Sequence, residues 1–161
     1  MTPTARTMTA LTLSAFALGT PARAVATEPQ STAKPATRSL YDRVGGEKAI
    51  RAVVNDFVPA AAADPKVDFT RGGKWQASDA FVMTLKNHLV AMLGSAFGGP
   101  QKYTGRTMKA AHQGMGITTA QFEAIAGHLK ATLEKHKVPK AEIDEIMAIA
   151  ASTAPDIIEK K

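Results

Sequence analysis

The chain has 161 residues, 45% of them hydrophobic, 21% charged and only 6% aromatic, with a formal net charge of +6, proportions ordinary for one soluble globular domain. It contains no cysteine, which excludes disulfides, thiolate zinc sites, iron–sulfur clusters and thioether-attached haem. Ala, Leu, Ile, Val and Met do the apolar work in place of aromatics, a mix that favours helices over sheets, so the expected fold class is all-α.

Residues 1–26 read as a secretory signal peptide. Arg6 gives a positive start, Met8 to Gly19 is an uncharged, mostly apolar run, and Ala22-Arg23-Ala24 and Ala24-Val25-Ala26 each offer small residues at cleavage spacing. The run is shorter than the about 20 apolar residues that span a bilayer, so no stable membrane anchor is expected. Export, to the bacterial periplasm, is the expected localisation. Removing 1–26 takes Arg6 and Arg23 and no acid from the +6 total, leaving +4. Residues 27–38 form a polar Pro/Thr/Lys linker and 39–161 the folded domain. A mild positive charge without a basic cluster makes no case for nucleic acid.

Within the domain, Ser39 caps a first short helix, SLYDRV, that Gly45-Gly46 breaks. From Glu47 to about Ala63, Ile50, Val53, Val54, Phe57 and Val58 recur at helical spacing as a core-facing stripe. Pro59 cannot donate to the carbonyl of Asn55, so a kink is expected there, and Asp64-Pro65 ends the helix. Residues 66–79 are aperiodic, yet they hold Phe69 and Trp75. Two such aromatics either anchor the loop to the core or wall a planar ligand. Ser78 or Asp79 caps the next helix, which runs to Phe97 with Val82, Leu85, Leu89, Met92, Leu93 and Ala96 on one broad face. His88 lies at the edge of that face, with its tip expected in water.

Gly98, Gly99 and Pro100 stop that helix, and a short segment then places Met108, Ala111 and His112 on one side before Gly114 and Gly116. A lone imidazole between glycine breaks is either a satisfied histidine or an axial ligand to a metal cofactor. Thr118 or Thr119 caps a helix striped by Phe122, Ile125, Ala126, Leu129 and Leu133. His128, beside the stripe, and His136, near its end, are expected to be solvated. Val138-Pro139 starts a last helix lined by Ile143, Ile146, Met147, Ala150 and Ile157. The sum is four substantial and two short helices, suited to helix-on-helix packing.

Four stretches of this chain resemble the truncated haemoglobins, group I (N-type). They are Leu40-Tyr41-Asp42-Arg43-Val44-Gly45-Gly46, the run from Gly98 to Met108, Ala111-His112-Gln113-Gly114-Met115-Gly116-Ile117-Thr118, and Val138-Pro139. They follow the family's order and spacing and cover about residues 39–158. The resemblance implies a two-over-two helical sandwich, helices B and E crossing G and H, around a b-type haem (iron protoporphyrin IX). His112 is then the proximal iron ligand, and Phe69 packs on the haem face. Tyr103 reaches a propionate, and Leu85, Leu89, Met92, Met108, Ile117, Phe122, Ile125 and Ile146 supply apolar wall.

Group I members usually carry a tyrosine on helix B and a polar residue on helix E beside the bound ligand. Here those positions hold Val58, Leu85 and Leu89, so the distal side is expected to be apolar, with weaker oxygen retention. His88 either meets a haem propionate or ligates the iron as a second axial histidine. The function implied is reversible binding of a diatomic ligand (oxygen, nitric oxide or carbon monoxide). The alternatives are electron transfer with a reductase or other electron donor, and oxidation of nitric oxide or turnover of peroxide. The last two need distal donors or an acid–base group, and the sequence offers none near the iron apart from His88.

Overall fold

In a computed structural model, which describes residues 38–74 and 76–160, two layers of paired helices make the domain. The first layer is α2 (Gly46–Ala63) with α3 (Asp79–Ala96); the second is α5 (Thr119–Lys135) with α6 (Lys140–Ser152). α2 packs on both α3 and α5, which joins the layers into a two-over-two sandwich. Three short helices complete it: α1 (Leu40–Arg43), α4 (Met108–His112) and α7 (Ala154–Ile157). The expected signal peptide, nearly all of the 27–38 linker and Trp75 lie outside the described residues. Among the described residues no helix is long and apolar enough to cross a membrane.

Side-chain caps set the helix starts as the sequence suggests. Ser39, Ser78 and Thr107 each accept a backbone N–H in the first turn of α1, α3 and α4. Thr118 and Gln121 form a reciprocal capping box on α5. Pro59 does not break α2, which continues to Ala63. Its ring lies on the exposed side, while Val58 and Ala61 are buried on the inner side and hold the helix in place through packing. The expected single last helix is two: Pro139 caps α6, and a turn at Thr153 separates it from α7, where Pro155 sits in the first turn.

The sealed core lies toward one end of the sandwich. Leu40, Ile50, Val53, Val54, Val58, Val90, Phe97, Leu133, Ile143 and Ile146 are buried there as one cluster. α3 shows why one broad face was an incomplete description. Its buried residues are Val90 and Gly94, roughly a third to a half of a turn around the helix from Leu85, Leu89 and Met92, which stay half-buried. Along α5 burial rises from half-buried Phe122 and Ile125 to buried Leu133, and along α6 it falls from Ile143 and Ile146 to Met147 and Ile149. Apolar faces are therefore left partly open where α3 starts, α5 starts and α6 ends.

His128 and His136 are not free in solvent, contrary to expectation. His128 Nε2 donates to Asp64 at 2.8 Å and His136 Nε2 to Asp56 at 2.9 Å, both part-buried. These pairs stitch α5 and its C-terminal cap to α2 and its C-terminal cap. The reason is tertiary: the acids lie 64 and 80 residues away in sequence. Lys135, then His136, hold the Asp56 carboxyl below the usual aspartate range; His128, then the N–H of Lys66, do the same for Asp64. The unfolded chain thus takes up more protons than the folded one as pH falls through about 4. The carboxylates' contribution is complete above the ordinary aspartate pKa and is lost as pH drops through the depressed folded value. Asp56→Asn is expected to lose less stability than the parent between pH 6 and pH 3 in urea titrations. An equal loss in both proteins would show that the Asp56 cluster contributes nothing.

Candidate functional site

α4 is five residues long, too short to stand alone, and is held by its surroundings. Thr107 caps its start, and α7 packs against it. His112 occupies its last position, half-buried. Its Nδ1 lies 2.8 Å from the carbonyl oxygen of Met108, one turn earlier. A carbonyl oxygen can only accept, so Nδ1 carries the proton, and in the neutral ring Nε2 is the lone-pair nitrogen. No hydrogen-bond partner among the described residues takes that lone pair. Metal-ligating histidines are commonly held in this way, the far nitrogen fixed by a backbone acceptor.

The other residues singled out in the sequence divide by burial. Phe69, Leu85, Leu89, Met92, Met108, Phe122 and Ile125 are half-buried and apolar, and Leu85 and Leu89 pack against the edge of the core cluster. Ile117 and Ile146 are buried, at 6% and 2% exposure. Ile146 belongs to the sealed core, where it lines an apolar cavity of about 80 Å³ with Ile50, Val53, Leu93 and Phe97. That cavity includes no other residue of the candidate site.

His88 and Tyr103 meet. Their ring centroids are 6.3 Å apart at 88°, edge to face, so the middle of α3 and the strap before α4 share one rim. His88 is exposed, as expected from its place at the edge of the α3 face. The Tyr103 hydroxyl donates to the carbonyl of Arg106 at 2.8 Å. Gln101 ties the start of the same strap to the first layer, donating to Tyr41 Oη at 2.9 Å and to Glu47 at 3.2 Å.

Comparison with known proteins shows the family of the chain. The profile of the family described as bacterial-like globin matches residues 39–159. The group 1 truncated hemoglobin GlbN of Mycolicibacterium paratuberculosis is 40% identical over 129 residues, 78% of this chain and 86% of that one. The chain belongs to the group 1 truncated haemoglobins. Among solved structures it is similar to truncated hemoglobin from Tetrahymena pyriformis in its Fe(III) form, with a TM-score of 0.68 and 30% identity over 76% of this chain and all of that one. The 2/2 hemoglobin from Synechococcus sp. PCC 7002, solved in the cyanomet state with covalently attached heme, gives a TM-score of 0.66 and 32% identity over 76% of this chain and all of that one.

The cofactor of this truncated haemoglobin is haem b, and the residues present fit it. A lone-pair nitrogen, half-open apolar faces on α3 and α5, and a polar rim at His88 and Tyr103 match the iron, the ring and the carboxylates of that group. Sequence reasoning missed the groups that hold the segment after His112 from outside, above all Glu159. Its partners are backbone N–H groups 43 and 45 residues away, and backbone donors leave no mark in a side-chain pattern.

Proposed function

We propose that this chain binds a diatomic ligand reversibly at haem iron, with His112 as the proximal ligand and an apolar distal side. The observation that carries the reading is the Nδ1–H of His112 donating to the Met108 carbonyl, which presents Nε2 as a ligating nitrogen. When bound, haem would supply a ferrous iron able to take oxygen, nitric oxide or carbon monoxide. The protein's own part is to hold the imidazole, to exclude water with Phe69, Leu85, Leu89 and Phe122, and to offer polar groups at the rim. His88 and Tyr103 share that rim and serve the propionates. For Tyr103 this requires the hydroxyl to turn from the Arg106 carbonyl toward the incoming carboxylate. Val58 on α2 takes the helix B position, so no hydroxyl donor stands beside the ligand. Export through residues 1–26 belongs to the same proposal and is tested by N-terminal sequencing of periplasmic protein.

Optical spectra of haem-loaded protein test the reading. The ferrous, ligand-free form is expected to be high-spin and five-coordinate, and carbon monoxide is expected to convert it to a low-spin complex without first displacing a protein ligand. His88→Ala should leave the ligand-free spectrum unchanged. A low-spin bis-histidine spectrum that His88→Ala turns high-spin would place His88 on the iron and favour electron transfer. Failure to bind added haem at all would sink the proposal.

A further inference from the structure

The segment that leaves α4 is gripped by the end of the chain. Gly114 and Gly116 have φ of +79° and +63°, backbone that glycine reaches freely but at a larger loss of conformational freedom when fixed. Both donate their N–H to one carboxylate. Gly114 N–H bonds to Glu159 Oε1 at 2.6 Å and Gly116 N–H to Oε2 at 2.5 Å. Around this chelate the chain beyond α7 runs beside the segment after Gly116. The N–H groups of Glu159 and Lys160 donate to the Ile117 carbonyl at 2.9 and 3.1 Å, and Thr119 N–H donates to the Lys160 carbonyl at 3.2 Å. Thr118 and Lys160 form an isolated parallel bridge, and α4 packs against α7.

The grip lies next to the histidine. Gly114 follows His112 by two residues, and Met115 N–H returns to the His112 carbonyl at 3.1 Å. On the other side Thr107 and its cap settle the start of α4. The helix has a single turn, so the direction of the His112 side chain is set by how its two ends are held. The loop end has no side-chain cap of its own; besides the backbone bonds of Gln113 and Met115, the side chain that bonds it among the described residues is the Glu159 carboxylate from the end of the chain. The two N–H donors hold that carboxyl below the usual glutamate range, so it stays charged at neutral pH.

We propose that Glu159 is a positioning residue for the proximal histidine, chelating the Gly114 and Gly116 amides so that the chain's C-terminal segment fixes the tilt of His112 toward the iron. This rests on His112 being the iron ligand. The charge-assisted bonds act on a loop with two glycines, so their loss frees the segment rather than shifting it to a second defined state.

The test is the iron–histidine stretching band of the ferrous, ligand-free holoprotein by resonance Raman, beside haem transfer to excess apomyoglobin. Glu159→Ala is expected to move and broaden the band and to speed haem loss about five- to tenfold, the scale of a net loss of about one ordinary hydrogen bond. Glu159→Gln keeps one carbonyl acceptor and is expected to fall between Glu159→Ala and the parent. Glu134→Ala, an exposed change on α5, controls for loss of surface charge. An unchanged band in Glu159→Ala overturns the proposal even if thermal stability falls, because a purely structural contact would lower stability without altering the iron–histidine bond. If Glu159→Ala does not fold, an unchanged band in Glu159→Gln overturns it equally. If the parent is low-spin through His88, the comparison is made in the His88→Ala background; absence of the band in a high-spin, five-coordinate protein would instead show that His112 is not the ligand, a distinct failure that removes the proposal with its premise.

Discussion

His112→Ala is expected to abolish the five-coordinate ferrous spectrum and to weaken haem retention by more than about 100-fold, beyond the 10–100-fold typical of losing an outer-shell partner of a metal ligand. Among the described residues the substitution removes the only imidazole whose Nδ1–H is committed to a backbone carbonyl; His128 and His136 use Nε2 to bind carboxylates, and His88 stands on the rim. It leaves the scaffold nearly intact. α4 keeps its Thr107 cap, the Ala111 N–H bond to Thr107 and the Gln113 N–H bond to Lys109. The apoprotein should therefore unfold within about 0.5 kcal/mol of the parent, as expected for a part-buried position with no core packing to lose. Haem transfer kinetics and urea unfolding of the apoprotein check the two halves separately. His112→Gly opens room for a free imidazole, and millimolar imidazole should restore the five-coordinate spectrum. An unchanged ferrous spectrum in His112→Ala would move the ligand elsewhere.

Much of this domain could be read from local pattern because its elements are decided locally. Ser39, Ser78, Thr107 and Thr118 announce helix starts through their own hydroxyls. The α2 stripe predicts the buried set Ile50, Val53, Val54 and Val58 directly, since one face of that helix meets the core. α3 was harder because it is apolar on two faces. Periodicity found Leu85, Leu89 and Met92 and passed over Val90 and Gly94, the residues that are buried. Leu85 and Leu89 are only half-buried at the edge of the core cluster, and hydrophobicity alone does not distinguish a side chain sealed in the core from one left partly open. The histidines show the limit most clearly. His112 stood out by its glycine flanks, whereas the partners of His128 and His136 arise only when α5 is laid on α2. Arg43 belongs to the same class: it joins α1 to α6 by bonding Glu142 and Glu145, about a hundred residues downstream.

Val58→Tyr is expected to slow oxygen dissociation by about 10- to 100-fold, because a hydroxyl donor stabilises a bound ligand carrying negative charge by roughly 1.5–3 kcal/mol. The kink expected at the neighbouring Pro59 bears on which way this side chain points. α2 runs unbroken through Pro59 and turns Val58 inward at 2% exposure, so the side chain at this position is an interior one. The same burial carries a cost. A phenol ring in place of an isopropyl group overfills a site in the same core cluster as Val54 and Ile146, and about 1–3 kcal/mol of folding stability is expected to be lost. Val58→Phe separates the two effects, since it brings nearly the same bulk and no donor. Stopped-flow displacement of oxygen should show slow release in Val58→Tyr only, while both variants unfold at similarly reduced urea concentrations. Carbon monoxide, which draws less charge from the iron, should leave the three proteins at closely similar rates. Equal oxygen release from the tyrosine and phenylalanine variants would mean that the residue after Phe57 does not face the ligand, and the apolar distal side would then have to be traced to Leu85 and Leu89 alone.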